Sequence, residues 1–533
     1  MKRLFAIAIV ACAAAAGQAE TPRSEYRAYW VETFRTSLAT RVDVERVIDA
    51  AVRSNANALF VEVRRRGDSW YLDSAEPLTE LPGVGEPDEA GRWTFDPLRV
   101  LIERAHARSI EVHAFVIVGA VARIDPRTDP LPRDARHVFL QHIWDAEAKR
   151  PFTGRRQWAT RALPPNPRGT SYDGQRFGDD WYIDLGHPDA AAYTIDVLLH
   201  LVKAYDIDGI HLDRVRYPEA PIDYKRGERM GVNVGYNETS VARFKARYGA
   251  MAKYDSVGYP RSNDPLWNQW RRDQVTSFVR RFYLSATAIR PSIKVSGALI
   301  SWSAGPHAAG GFEATEAYGR VFQDWPAWLR EGIIDLASPM LYKREHAPME
   351  RKQFDDWLKF LVASAHASGR AAVPGIGAYM NAIEGTLRQA RRARNAGADG
   401  VIFFAVGDTT PQTVRLNSTN KAVPPKPKRT NDEFFAALSK GPFAAKATPP
   451  PKPFDAGGAV MGFAPLDGAT VLIESASLKR TATTDGGGFF GALKLPPGDY
   501  RATVRDNSCA FRVTAGSVAR IDLPCQVTVE AAQ

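Results

Sequence analysis

Short, mainly apolar runs, separated by stretches with helical spacing, recur from Arg27 to about Ala405. The runs are 27–34, 58–64, 111–118, 209–213, 294–301, 334–342, 371–377 and 400–404. Predominantly apolar runs of this length mark strands buried on both faces. Between them, residues 42–54 start at Asp43 and put Val44, Val47, Ile48 and Val52 on one stripe. Residues 96–108 carry Pro97 in the first turn, where a helix tolerates the missing N–H. Eight strands alternating with helices over about 380 residues predict an α/β fold, a (β/α)₈ barrel with long loop insertions. No Gly-x-Gly-x-x-Gly follows any strand, which disfavours a dinucleotide-binding fold.

The longest insertion, about residues 123–180, is rich in Pro, Arg, Gly and Trp and has little periodicity. Loops of this length serve function or stay disordered. Trp144, Trp158, Tyr172 and Trp181 favour an aromatic binding wall there. After Asn417 the composition shifts to semi-rigid linker material, Pro424 to Lys428 and Pro449 to Pro453. One short helix, 432–440, lies between these stretches and ends at Gly441. From Gly457 onward short alternating strands (469–474, 479–484, 489–495, 500–506, 510–514) predict a small β-sandwich. The expected division is a leader at 1–19, a barrel at 24–417, a Pro- and Lys-rich linker at 418–456 and a sandwich at 457–530.

The leader reading rests on Met1-Lys2-Arg3, an apolar run from Leu4 to Ala16 and a small-residue cleavage site at Gly17-Gln18-Ala19. It is too short to span a membrane, so the expected location is periplasmic or extracellular. Ile9-Val10-Ala11-Cys12 offers the lesser alternative of a lipoprotein anchor. Export changes the meaning of the other cysteines. Cys509 and Cys525 are expected to form a disulfide, and the body of the chain has no thiol for catalysis or metal binding. The net charge of +10 is spread over Arg64-Arg65-Arg66, Arg155-Arg156, Arg271-Arg272, Arg280-Arg281 and Arg391-Arg392. For an exported chain, the anionic envelope is a better partner than nucleic acid.

Barrel enzymes place chemistry at the carboxyl ends of their strands. Four carboxylates fall there. Asp213 ends Gly209-Ile210-His211-Leu212-Asp213, Glu32 follows Tyr29-Trp30-Val31, Glu62 lies in the second strand and Glu345 follows the sixth. Hydrolysis of a glycosidic bond needs two such groups, one protonated and one ionised. Asp213 is the leading candidate, with Glu32 or Glu345 as its partner, whereas Asp335 begins its strand and belongs to the stability face. Glu62, Arg64, Asp68, Tyr71, His113, Arg216, Trp302 and Tyr342 are candidate sugar contacts, since aromatic faces pack on pyranose rings and charged forks bind hydroxyls or carboxylates. A lone His such as His113 is as often a core residue. No pair of histidines has i, i+4 spacing with a nearby acid, so neither a metal nor another cofactor is expected.

At these residues the chain resembles the bacterial glycoside-hydrolase-like family ten. The motifs are Tyr29-Trp30-Val31-Glu32, Val61 to Asp68, Phe95-Asp96-Pro97-Leu98, Ala105-His106, Glu111-Val112-His113-Ala114, Asp184 to Pro188, Gly209 to Asp213 and Gln323-Asp324-Trp325. The resemblance implies a (β/α)₈ barrel that hydrolyses a bacterial polysaccharide without a metal, with acids at Asp213 and Glu32. The chain departs from the family where Glu62 replaces a usual glutamine, where Arg214 replaces a second acid, and where Phe115 to Gly119 replace a polar set. The tail resembles carboxypeptidase-regulatory-like or transthyretin-like modules through Leu466 to Val471 and Thr484 to Phe489.

The leading expectation is an exported glycoside hydrolase acting on a cell-envelope polysaccharide, plausibly peptidoglycan glycan strands. A glycan-binding wall protein on a degenerate barrel is the alternative. Metal-dependent deacetylation of an amino sugar ranks third.

Overall fold

The computed structural model describes residues 23–34, 38–163, 170–219, 222–223, 228–229, 233–410, 430–453 and 456–525. The expected leader and much of the Pro- and Lys-rich stretch lie outside these residues.

Eight parallel strands form the centre: β1 (Tyr26–Val31), β2 (Ala58–Arg64), β3 (Glu111–Ile117), β4 (Gly209–Asp213), β5 (Lys294–Leu299), β6 (Leu336–Pro339), β7 (Ala371–Ala372 continuing as Gly375–Gly377) and β8 (Gly400–Phe404). Each pairs with the next, and β8 pairs back onto β1. The two ends of the sheet are therefore the two halves of β7, and the sheet closes into a barrel. The break in β7 falls at Val373-Pro374, because proline has no N–H for the ladder. Pro374 still accepts from Ile402 N at 3.1 Å.

The helices that matter for the site are α1 (Arg41–Arg53), α2 (Pro97–His106), α3 (Pro188–Ala204), α4 (Pro265–Ile289), α5 (Trp325–Glu331), α6 (Pro348–Ala367), α7 (Ile383–Asn395) and α8 (Asn431–Ser439). Thr40 and Asp43 form a capping box that starts α1 one turn ahead of the apolar stripe. Val44, Val47 and Ile48 are buried, whereas Val52 is exposed and leaves the expected stripe.

The helix expected within the Pro- and Lys-rich stretch is α8. Phe434, Phe435 and Leu438 are buried in the barrel's core cluster. Phe434 meets Phe403 of β8 edge-on at 5.4 Å, and Phe435 meets Tyr29 of β1 at 5.9 Å. This helix thus covers the β8–β1 seam. Phe434→Ala is expected to destabilise the barrel by about 3–5 kcal/mol, the cost of an aromatic core truncation, as read by urea unfolding.

Seven strands make the C-terminal sandwich: β9 (Gly458–Phe463), β10 (Thr470–Glu474), β11 (Lys479–Thr483), β12 (Phe489–Leu495), β13 (Gly498–Val504), β14 (Asn507–Val513) and β15 (Val518–Asp522). They form a three-stranded sheet, β12-β9-β15, and a four-stranded sheet, β11-β10-β13-β14. The pattern reading lacked β9 and β15. The parallel approach of β15 places Ile521 O where a Cβ on Gly462 would stand, so β9 is glycine-rich rather than alternating. Cys509 and Cys525 form a disulfide, as expected. The sandwich rests on the helix layer: Arg281 of α4 lies over the rings of Phe463 and Phe489 at 5.2 and 5.7 Å, and Arg243, from the helix Glu238–Tyr248, forms a bidentate pair with Asp467 at 2.6 and 2.8 Å.

Candidate active site

The barrel interior supports the site from below. Trp30 of β1 donates its indole N–H to His211 Nε2 at 2.9 Å, and His211 Nδ1 meets Ser296 Oγ at 2.8 Å. Indole nitrogen only donates, so Nε2 is the acceptor and the imidazole proton sits on Nδ1. Burial, with His113 second, holds His211 neutral well below the ordinary histidine range. The unfolded chain takes up a proton near 6.5 while the folded chain does not, so this residue weakens the fold as pH falls below that value. Replacing His211 with Gln is expected to make the acid-side loss of stability shallower by about 1.4 kcal/mol per pH unit, read from denaturation curves.

One layer above stands Asp213, half-buried at the carboxyl end of β4. Arg214 N donates to its Oδ1 at 2.7 Å. Arg214 has φ +50°, a left-handed conformation that costs a non-glycine residue on the order of 1 kcal/mol. Its guanidinium reaches Asp180 Oδ2 at 2.8 Å and the Tyr182 hydroxyl at 2.5 Å. Arg66 binds the other oxygen of Asp180 at 3.0 Å. Asp180 and Tyr182 come from the insertion and were missed from the sequence. Their three-residue strand has too little pattern to stand out.

Tyr342 lies at the same mouth, after β6. Its ring meets Trp30 at 6.1 Å and Phe404 at 5.5 Å. Burial first, then Tyr379 and Asp213, push its hydroxyl pKa well up, so it stays protonated. Arg216 packs over the Trp302 ring at 5.3 Å and donates to Tyr217 O at 3.2 Å. Phe34, 50% exposed, extends the rim with Arg65 over its ring at 5.5 Å. The mouth is aromatic and rich in arginine around Asp213.

Glu32 is fully buried just past β1. Trp30 points into the barrel toward His211, so the two-residue alternation carries Glu32 to the same interior side, as it carries Asp213 from His211. Glu62 accepts from Thr33 N at 2.7 Å and Thr33 Oγ1 at 2.6 Å, which ties down the loop after Glu32. Burial raises the pKa of Glu62 despite these bonds. Asp68 accepts from Arg66 N at 3.1 Å and shapes the turn after β2.

Four expected site residues stand elsewhere. Arg64 is fully buried and forks onto Glu76 at 2.7 and 2.8 Å, while also donating to Ile117 O. A bulge between Glu62 and Arg64 removes it from the interior alternation. Tyr71 is buried against Tyr205 at 5.3 Å. His113 lies at the opposite end of the barrel, stacked on Phe60 at 4.3 Å and bonded to Glu111 at 3.1 Å. Glu345 accepts from Arg392 of α7 at 2.9 Å and pairs with Arg388 at 3.5 Å, a bond to the helix layer rather than the mouth. The aromatic wall is also corrected: Trp144, Trp158 and Trp181 are buried. Trp144 and Trp181 pack with Tyr172 as the insertion's own core, and Trp158 stacks on His142.

The closed (β/α)₈ barrel thus carries a half-open carboxylate, aromatic faces and arginines at its carboxyl mouth. Residues 25–357 match the Glycosyl hydrolase-like 10 family, and the chain belongs to it. It is 23% identical over 304 residues to Glycosyl hydrolase YngK of Bacillus subtilis (strain 168), covering 56% of this chain and 48% of that protein. It is 21% identical over 308 residues to Glycosyl hydrolase DigH of Escherichia coli (strain K12), covering 55% of this chain and 56% of that protein. The chain spans about half the length of these curated relatives. Among solved structures, the catalytic domain of β-amylase from Paenibacillus polymyxa aligns at 11% identity with a TM-score of 0.49, over 74% of this chain and 96% of that one. No helix among the described residues is long and apolar enough to cross a membrane.

Proposed function

We propose that this protein is an exported glycoside hydrolase that cleaves a cell-envelope polysaccharide, the glycan strands of peptidoglycan. Asp213 is the acid/base group and Glu32 its partner. The position of Asp213 carries this reading: it stands at the carboxyl end of a barrel strand, open to the mouth and beside the protonated hydroxyl of Tyr342. In the reaction, Asp213 gives its proton to the glycosidic oxygen as the C–O bond breaks. As that bond breaks, the partner carboxylate either attacks the anomeric carbon, giving a glycosyl-enzyme that water deprotonated by Asp213 then releases, or takes a proton from attacking water. Arg65 over the Phe34 ring and Arg216 over the Trp302 ring bring guanidiniums to the mouth, where they can bind sugar hydroxyls or carboxylates. Trp302 and Tyr342 supply faces for the rings.

Export is part of the proposal and rests on the leader pattern at residues 1–19. The test is release of new reducing ends from purified, peptide-free glycan strands by the full chain. Binding of the strands with no new ends would favour the glycan-binding alternative instead.

A further inference from the structure

The insertion between β3 and α3, together with Tyr236, Asn237 and Glu238, lines an open cavity of about 370 Å³ that shares no lining residue with the barrel mouth. This volume lies in the range of small-ligand sites, about 300–1,000 Å³. Its frame is bonded in place. Buried Asn237 donates to the carbonyls of Gln157 and Ala159 at 2.7 and 2.9 Å. Gln157 donates in turn to Ile143 O and Phe152 O at 3.1 and 3.0 Å. Arg161 is held by Asp173 and by the Tyr259 hydroxyl.

Three groups on the cavity wall remain available to a ligand. Arg127 and Arg150 have no ion pair among the described residues. Gln175 accepts from Gln157 through its oxygen at 3.4 Å, which leaves its amide N–H₂ to donate. Phe152 and Tyr172 add ring surfaces, with Arg127 over the Tyr172 ring at 4.7 Å. Aromatic faces, an amide donor and two unpaired guanidiniums, set against the one wall carboxylate without an ion pair among the described residues, Glu238, match a sugar that bears a carboxylate. The frame of the cavity is linked to the rim of the active site by one backbone bridge. Ala159 on its wall bridges Ile183, and the adjacent Tyr182 accepts from Arg214 beside Asp213.

We propose that this cavity is a second glycan-binding site, which takes a carboxylate-bearing sugar unit of the strand that passes Asp213. The inference rests on the glycoside hydrolase reading above. A long strand held at two places gains effective concentration at the cleavage site.

The test uses the full chain carrying Asp213→Asn, with and without Arg127→Ala and Arg150→Ala together. The probes are peptide-free hexamers of alternating N-acetylglucosamine and N-acetylmuramic acid, which carry free carboxylates, and neutral chitohexaose. By calorimetric titration, the two arginine substitutions are expected to weaken hexamer binding about tenfold or more, and chitohexaose binding by less than about twofold. Unchanged hexamer affinity overturns the proposal, as does an equal loss for both sugars. Failure of the catalytic assignment would show separately, as hexamer cleavage by the Asp213→Asn protein during the titration.

Discussion

Asp213→Asn is expected to lower kcat for glycan cleavage by about a thousandfold or more, while KM and the melting temperature stay close to wild type. The expected loss follows from the role. General acid–base transfer contributes about 10²–10⁴ to a rate, and the asparagine amide is far too weak an acid to transfer a proton. The fold should tolerate the change, because Asp213 is only half-buried and its Oδ1 contact with Arg214 N is available to an amide oxygen. A reducing-end assay across substrate concentrations separates kcat from KM. Cleavage at the wild-type rate would remove Asp213 from the mechanism, and a collapse of melting temperature would make its role structural. The companion change Glu345→Gln is expected to leave kcat within about twofold, since Glu345 is bound by Arg392 on the helix layer.

Arg64→Ala is expected to cost stability rather than substrate affinity. It would strand Glu76 in a fully buried site, where the guanidinium now supplies two hydrogen bonds at 2.7 and 2.8 Å. Breaking a buried ion pair from one side costs about 3–5 kcal/mol, a large part of the roughly 5–15 kcal/mol that holds a domain together. Removing both charges, with Arg64→Met and Glu76→Met, should recover much of the loss, because neither partner is then left unpaired. Urea unfolding of the single and double variants measures this directly. A sugar-binding Arg64 would instead raise KM at unchanged stability.

These two residues mark the limit of what the chain reveals in one dimension. The extents of β2 and β4 follow directly from mainly apolar runs ended by Arg64 and Asp213, since strands buried on both faces need that composition. Asp335 was also legible: it starts its strand, and there it accepts from Tyr283 and Val295 N at 3.1 and 2.9 Å as part of the stability face. Arg64 was misleading because a bulge one residue earlier changes which side of the strand it occupies, and a bulge has no composition of its own here. Glu345 was misleading because its arginine partners lie more than forty positions on, in α7. The tryptophans of the insertion read equally as a wall or a core, and only burial distinguishes the two.

The sequence by itself determined the eight-strand alternation, the change to a β module after the Pro-rich stretch, and Asp213 as an acid at a strand's carboxyl end. Periodicity and strand polarity depend on local order, so a linear reading recovers them. Tertiary structure decided which charges are already spent. It withdrew Arg64 and Glu345 into ion pairs, brought Asp180 and Tyr182 from the insertion to Arg214, and set α8 over the β8–β1 seam. Each of these depends on contacts between residues far apart in the chain, and no local pattern encodes which partner a buried charge or ring will meet.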